Sequence, residues 1–141
     1  MKQVEVVAAI LIVNDHVLCV QRGVSKLDYI SCKWEFAGGK IEDGETHHQA
    51  LRRELIEELD LKIDVKEKAT LVLHQYPDFH LTLHAYLCSA VELKGGDFPK
   101  FILNEHKDYK WLKRSDAAFS SLDWAAADIP IVEELCRLTQ G

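Results

Sequence analysis

Between Arg52 and Leu59 the chain reads Arg-Arg-Glu-Leu-Ile-Glu-Glu-Leu, with carboxylates at Glu54, Glu57 and Glu58. Spacings of i, i+3 and i+4 put these three on one face of a helix at ~100° per residue. Leu51, Leu55 and Leu59 fall on the neighbouring face, so the helix can dock through leucines with its carboxylates at the rim. Like charges held this close repel: a pair 4 Å apart costs about 4 kcal/mol at an effective dielectric of ~20. A hard divalent cation offsets that cost, and carboxylate oxygens suit magnesium. The plain alternative is a solvated acidic face balanced by Arg52, Arg53 and Lys62. The residues upstream favour the metal. Phe36-Ala37-Gly38-Gly39-Lys40 precedes the helix, followed by Glu42, Asp43, Gly44 and Glu45. Glycines let a backbone approach a ligand closely and leave carbonyls free to point at a metal.

The elements that must hold this helix are legible on both sides of it. Thr46 is a plausible N-cap for a helix over about Thr46 to Leu59. Val4 to Val13 is apolar and β-branched, a buried strand. Asn14-Asp15 makes a turn, and His16 to Gln21 returns as a second strand. Arg22 to Lys33 is a polar surface loop, and Trp34-Glu35-Phe36 a short extended piece leading into Gly38-Gly39. Lys62 to Gln75 reads as strand, and Tyr76-Pro77-Asp78 interrupts it. Phe79 to Ala90 then alternates. Phe79, Leu81, Leu83, Ala85 and Leu87 share one face; His80, Thr82, His84, Tyr86 and Cys88 share the other. Gly95-Gly96 begins a loop and Tyr109 to Leu112 is a short strand. Pro130 suits the first turn of a last helix, about Ile129 to Thr139, with Ile131, Leu135 and Leu138 as its apolar stripe. This mixture predicts an α/β fold with a mixed sheet between helices.

The 141 residues suit a single domain with a proper core. A net charge of -6 argues against a nucleic-acid polymer as partner. A single nucleotide stays open, since it needs only a few local cations or a metal. No apolar stretch is long enough to span a membrane. Cys19, Cys32, Cys88 and Cys136 form no CxxC pair, and the opening MKQVEVVAAILIV lacks a small-residue cleavage site. The expectation is a cytoplasmic protein with reduced thiols. His80 and His84 share a strand face beside His47-His48, but zinc would need a third convergent ligand that the sequence does not identify. His47 and His48, in the first helical turn, are expected to be exposed.

As one string, Gly39, five residues, Glu45, seven residues, Arg53-Glu54-Leu55, one residue, Glu57-Glu58 resembles the Nudix box. That motif continues with any residue, a glycine and an apolar residue. Here Asp60 stands in place of the glycine, before Leu61. The family glycine ends the helix in a left-handed conformation, which aspartate tolerates better than most residues. The box covers Gly39 to Leu61. A looser similarity to the MutT-type branch, which includes CTP pyrophosphohydrolases, runs over nearly the whole chain. Its pieces are Val4 to Ile12, Trp34 to Lys40, Glu105 six residues before Trp111, and Ala127-Asp128-Ile129-Pro130.

The resemblance implies an α/β/α sandwich, in agreement with the pattern above. It implies that the Gly39 carbonyl, Glu54, Glu57 and Glu58 hold magnesium, with manganese a possible substitute, and that Glu105 completes the site from a remote loop. Glu54 is the first choice for general base, with Glu105 its rival. Glu45 and Arg53 would pair and hold the loop against the helix. Gly38, Lys40 and Arg22 are candidate substrate contacts, the two cations for phosphate. Asp128 would read the nucleobase edge, and it also suits an N-cap of the last helix. Phe36 and Tyr86 could flank a base by stacking, although core packing competes for Phe36. The implied reaction is hydrolysis of a nucleoside triphosphate, CTP, dCTP or an oxidised pyrimidine nucleotide, to monophosphate and pyrophosphate. An 8-oxo-dGTP diphosphatase and a catalytically silent nucleotide-sensing module remain alternatives. The expected assembly is a monomer or homodimer.

Overall fold

Asn14 and Asp15 both take left-handed backbone, with φ of 48° and 64°. That pair is what a two-residue type I′ hairpin turn requires. It folds β1 (Lys2–Val13) back onto β2 (His16–Arg22). The computed structural model describes residues 1–91, 98, 99, 101, 103 and 105–140; the expected loop at Gly95-Gly96 lies outside them. The remaining elements are β3 (Trp34–Glu35), β4 (Ala37–Lys40), α1 (His47–Leu59), β5 (Ile63–Gln75), β6 (Phe79–Ala90), β7 (His106–Lys113), α2 (Ala117–Ser120) and α3 (Ile129–Gln140). A 3-10 turn at Ala126–Asp128 leads into α3.

β1 is the axis of the sheet. It runs parallel to β6, from Lys2 opposite Phe79 to Leu11 opposite Cys88. It runs antiparallel to β4, with Val7 opposite Gly39. β5 pairs antiparallel with β6, and β2 carries β3 and β7. The sheet is therefore mixed, as the sequence pattern predicts.

Alternation along β1 divides the core in two. Val7, Ala9 and Leu11 pack with Ala50, Leu51, Leu55 and Leu59 of α1. Ala8 and Ile10 face the other way, to Phe119, Trp124, Ile131 and Leu135. With helices on both faces, the result is an α/β/α sandwich. Both faces of β6 sort as its alternation predicts, Leu83 and Ala85 toward α3, Tyr86 and Cys88 toward α1.

Several boundaries differ from the sequence reading. β1 begins at Lys2, through polar residues that are paired but exposed, and β7 at His106, across a bulge that skips Lys107. Leu138 is exposed rather than part of the α3 stripe. α2 and the 3-10 turn were not anticipated; both are too short to show a hydrophobic period. Cys19, Cys32, Cys88 and Cys136 are all thiols, and burial pushes Cys19 and Cys88 up to about 12.

Candidate active site

α1 is fixed at both ends. Thr46 Oγ1 accepts from the Gln49 N–H at 3.1 Å, and Gln49 Oε1 accepts from the Thr46 N–H at 2.9 Å. This reciprocal capping box satisfies two donors that a helix start leaves unpaired. At the other end Asp60 adopts φ 51° and donates its N–H to the Ile56 carbonyl at 2.9 Å. The left-handed cap forms without glycine.

The carboxylates of α1 sit in different surroundings. Glu57 is exposed. Glu58 is buried, 6% exposed, and its Oε2 has no hydrogen-bond partner among the described residues. Burial, then the nearby charges of Glu54, Glu105 and Glu35, push the Glu58 carboxyl up to about 9. Glu58 therefore holds a proton at neutral pH beside the Glu54 carboxyl, which limits the repulsion between them. Burial also raises Glu54, against the opposing pull of Arg53.

Arg53 ties the loop to the helix. Its Nε and Nη2 donate to Glu45 at 2.7 and 2.8 Å, Nη2 also donates to the Lys40 carbonyl at 3.0 Å, and Nη1 donates to Glu54 at 3.0 Å and Glu57 at 3.2 Å. Glu45 is held down at about 2 by its Arg53 hydrogen bonds and the Glu42 N–H. Gly39 lies so near Glu54 that a β-carbon there would stand 2.4 Å from Glu54 Cδ. Gly38 is excluded from carrying one by β1, since its β-carbon would stand 2.0 Å from the Val7 carbonyl oxygen. Its lack of a side chain therefore has a packing reason.

A cleft of about 720 Å³ opens over these groups, within the usual size of a ligand pocket. Glu54, Glu57, Glu58 and Glu105 line it, as do Arg22, Phe36 and Asp128. The donor set fits a hard divalent cation: all oxygen, one acceptor orphaned, and a proton held where a cation would relieve the repulsion. Asp128 is buried, and its Oδ1 accepts from the Phe36 N–H at 3.1 Å. Burial and Glu35 raise its carboxyl well above the usual range, opposed by that N–H and Arg22.

The NUDIX domain model matches residues 2–135. The chain belongs to the Nudix family. The "CTP pyrophosphohydrolase" of Escherichia coli K12 is 35% identical over 150 residues, covering 98% of this chain and 95% of that protein. The "8-oxo-dGTP diphosphatase" of the same strain is 29% identical over 138 residues, covering 98% and 100%. The solution structure of the E. coli ORF135 protein superposes with a TM-score of 0.77 at 34% identity, covering 99% of this chain and 92% of that one. The Nudix chain is thus a hydrolase acting on nucleotide diphosphate bonds, in a family that generally uses a divalent metal.

Other placements depart from the sequence reading of this Nudix chain. Asp128 ends the 3-10 turn, and its side chain binds Phe36 rather than capping α3. Phe36 is buried, stacked on Trp124 at 4.9 Å, and also forms cleft wall. Tyr86 packs on the α1 face and contacts His47 Nδ1 through its hydroxyl at 2.8 Å, so it does not reach the cleft. His47 and His48 are half-buried rather than exposed: the His47 ring lies tilted against His84 at 4.2 Å, and His48 meets the Tyr86 ring edge-on at 5.3 Å. The third group beside His47 and His84 is Glu5. Lys68 Nζ lies 2.8 Å from His84 Nδ1, and Glu5 lies 2.7 Å from His84 Nε2. Both His84 nitrogens are therefore already engaged. The sequence reading missed Glu35, Tyr76 and His106 in the cleft. Only the alternation of Glu35 with buried Trp34 and Phe36 could have pointed to one of them.

Proposed function

We propose that this Nudix hydrolase is a magnesium-dependent nucleoside triphosphate pyrophosphohydrolase acting on CTP, dCTP or their oxidised forms. It releases a nucleoside monophosphate and pyrophosphate. The observation that carries the reading is Glu58: a buried carboxyl with an orphaned oxygen, beside Glu54 and in a cleft that also holds Asp128.

The roles follow from position. Glu54, Glu57, Glu58 and Glu105, with the Gly39 carbonyl, hold magnesium, and manganese substitutes for it. When bound, the cation neutralises anionic phosphate oxygens and makes a water more acidic. Glu54 takes the proton of the attacking water on its carboxylate, with Glu105 as the rival base. Glu45 and Arg53 keep the loop on the helix, so the carboxylates keep their geometry. Arg22 and Lys40 attract the phosphates, and Gly38 and Phe36 shape the cleft.

Asp128 selects the base. As a neutral carboxyl it presents a donor beside an acceptor, the complement of cytosine N3 and its N4 amino group. Near full-length likeness to a CTP pyrophosphohydrolase supports this choice. The same donor–acceptor pair also fits an oxidised purine, and full-length likeness to an 8-oxo-dGTP diphosphatase supports that second reading. A silent sensing module is disfavoured by the complete carboxylate cluster. Among the described residues no helix is long and apolar enough to cross a membrane. We place the enzyme in the cytoplasm as a monomer or homodimer, with no membrane or nucleic-acid polymer as partner.

The test is kcat/KM with magnesium for CTP, dCTP, 5-hydroxy-dCTP, UTP, dGTP and 8-oxo-dGTP. A cytosine nucleotide should lead. A lead by 8-oxo-dGTP would install the second reading, and no turnover of any would end both.

A further inference from the structure

We propose that His106 is a positioning residue: set beside Glu35, it fixes the adjoining Glu105 against the carboxylates of α1. This rests on the reading of Glu105 as part of the metal site.

The backbone is arranged to aim this imidazole. β7 starts at His106, directly after Glu105. Along β2 and β7 the pairing steps from Gln21 opposite Asp108 to Arg22 opposite His106, skipping Lys107. An unbroken ladder would put Lys107 opposite Arg22. The bulge instead gives that place to His106, and re-aiming a side chain beside a site is a recurrent use of bulges.

The side chain then sits as an anchor sits. It is 7% exposed, although Glu105 and Lys107 on either side are exposed. Its Nε2 lies 3.7 Å from Glu35 Oε1, and Arg22 Nε lies 3.5 Å from the same oxygen. Glu35 thus lies between Arg22 of β2 and His106 of β7, while its own strand pairs with β2. His106 Nδ1 is buried with no hydrogen-bond partner among the described residues. Burying an unpaired polar atom is unfavourable, so packing alone would favour an apolar residue here. A histidine at this place needs a reason in its polar contact. One residue away, Glu105 lines the cleft with Glu54, Glu57 and Glu58.

The experiment is a double-mutant cycle with two readouts. Manganese binding to the nucleotide-free protein is followed by electron paramagnetic resonance, and kcat and KM are measured with magnesium. The variants are Glu105→Gln, His106→Leu, their double, and His106→Gln, which keeps an N–H to offer Glu35. Glu35→Gln is an independent arm if His106→Leu fails to fold. We expect Glu105→Gln to weaken manganese binding and lower kcat. His106→Leu should weaken binding about tenfold and lower kcat more than it changes KM, and His106→Gln should recover most of both. The double variant should be no worse than Glu105→Gln alone, because His106 acts through Glu105. Fully additive losses, or a loss confined to KM, would overturn the proposal while leaving Glu105 in its role. If Glu105→Gln changes neither readout, the assignment of Glu105 itself fails.

Discussion

Glu54 rests its carboxyl group against the α-carbon of Gly39, leaving no room for a β-carbon, which would stand 2.4 Å from Glu54 Cδ. The loop glycine and the helix carboxylate are thus one fitted pair. Gly39→Ala should keep the fold, since a side chain can yield, but displace Glu54. Misplacing a reacting group by about 1 Å costs on the order of 10²-fold in rate, so kcat/KM should fall by about that factor. Gly38→Ala meets the backbone oxygen of Val7 instead, and should lower the thermal midpoint. Equal activity and stability losses in both variants would contradict the distinction.

Glu58 gives the metal-free protein a defined pH dependence. Its carboxyl rises from 4.5 to about 9, through burial first and then its neighbours' charges. An acid whose pKa is raised by folding stabilises the native state below its unfolded pKa. That contribution is lost as pH rises through the folded value. Urea midpoints in chelator should therefore fall between about pH 4.5 and 9, and saturating magnesium should flatten the fall. Glu58→Gln should remove the Glu58 share of the dependence and the magnesium response, leaving the share of buried Asp128. A flat profile for the metal-free wild type would refute this.

Asp60 carries a left-handed backbone at the end of α1, with φ 51°. That conformation costs a side-chain-bearing residue roughly 1–2 kcal/mol, which glycine avoids. Asp60→Gly should raise stability by about 1 kcal/mol and leave kcat unchanged, read by denaturant unfolding and kinetics. A destabilised variant would mean that the Asp60 side chain contributes something its backbone geometry does not reveal.

Asp128 separates fold from specificity. Asp128→Asn keeps an oxygen for the Phe36 N–H and a donor beside it, so both stability and the order of preferred bases should hold. Asp128→Ala strands that buried N–H and should cost about 1–3 kcal/mol. An unchanged base preference in Asp128→Ala would place base selection elsewhere in the cleft.

The chemistry of this chain was legible where it is local. Glu54, Glu57 and Glu58 follow from helical spacing, and the hairpin at Asn14-Asp15 from its turn residues. What escaped depends on contacts remote in sequence. Asp128 reads both as a base contact and as a helix cap, because nothing near it reveals that its side chain meets Phe36, 92 residues away. Tyr86 reads as a base-stacking candidate because alternation assigns a face but not which face meets the cleft. His47 looks exposed in a first helical turn, and only the packing of α1 on β6 buries it against His84. His106 was invisible for a further reason: a bulge overrides the alternation by which its face would be judged.

The central claim is magnesium-dependent cleavage of a triphosphate into monophosphate and pyrophosphate by the carboxylates of α1. Its most direct test is product analysis of CTP turnover by phosphorus NMR, for wild type and Glu54→Gln, with and without magnesium. The wild type should yield CMP and pyrophosphate in equal amounts only with magnesium, and Glu54→Gln should lose almost all turnover while remaining folded. CDP and phosphate as products, turnover without a divalent cation, or full activity in Glu54→Gln would contradict the account.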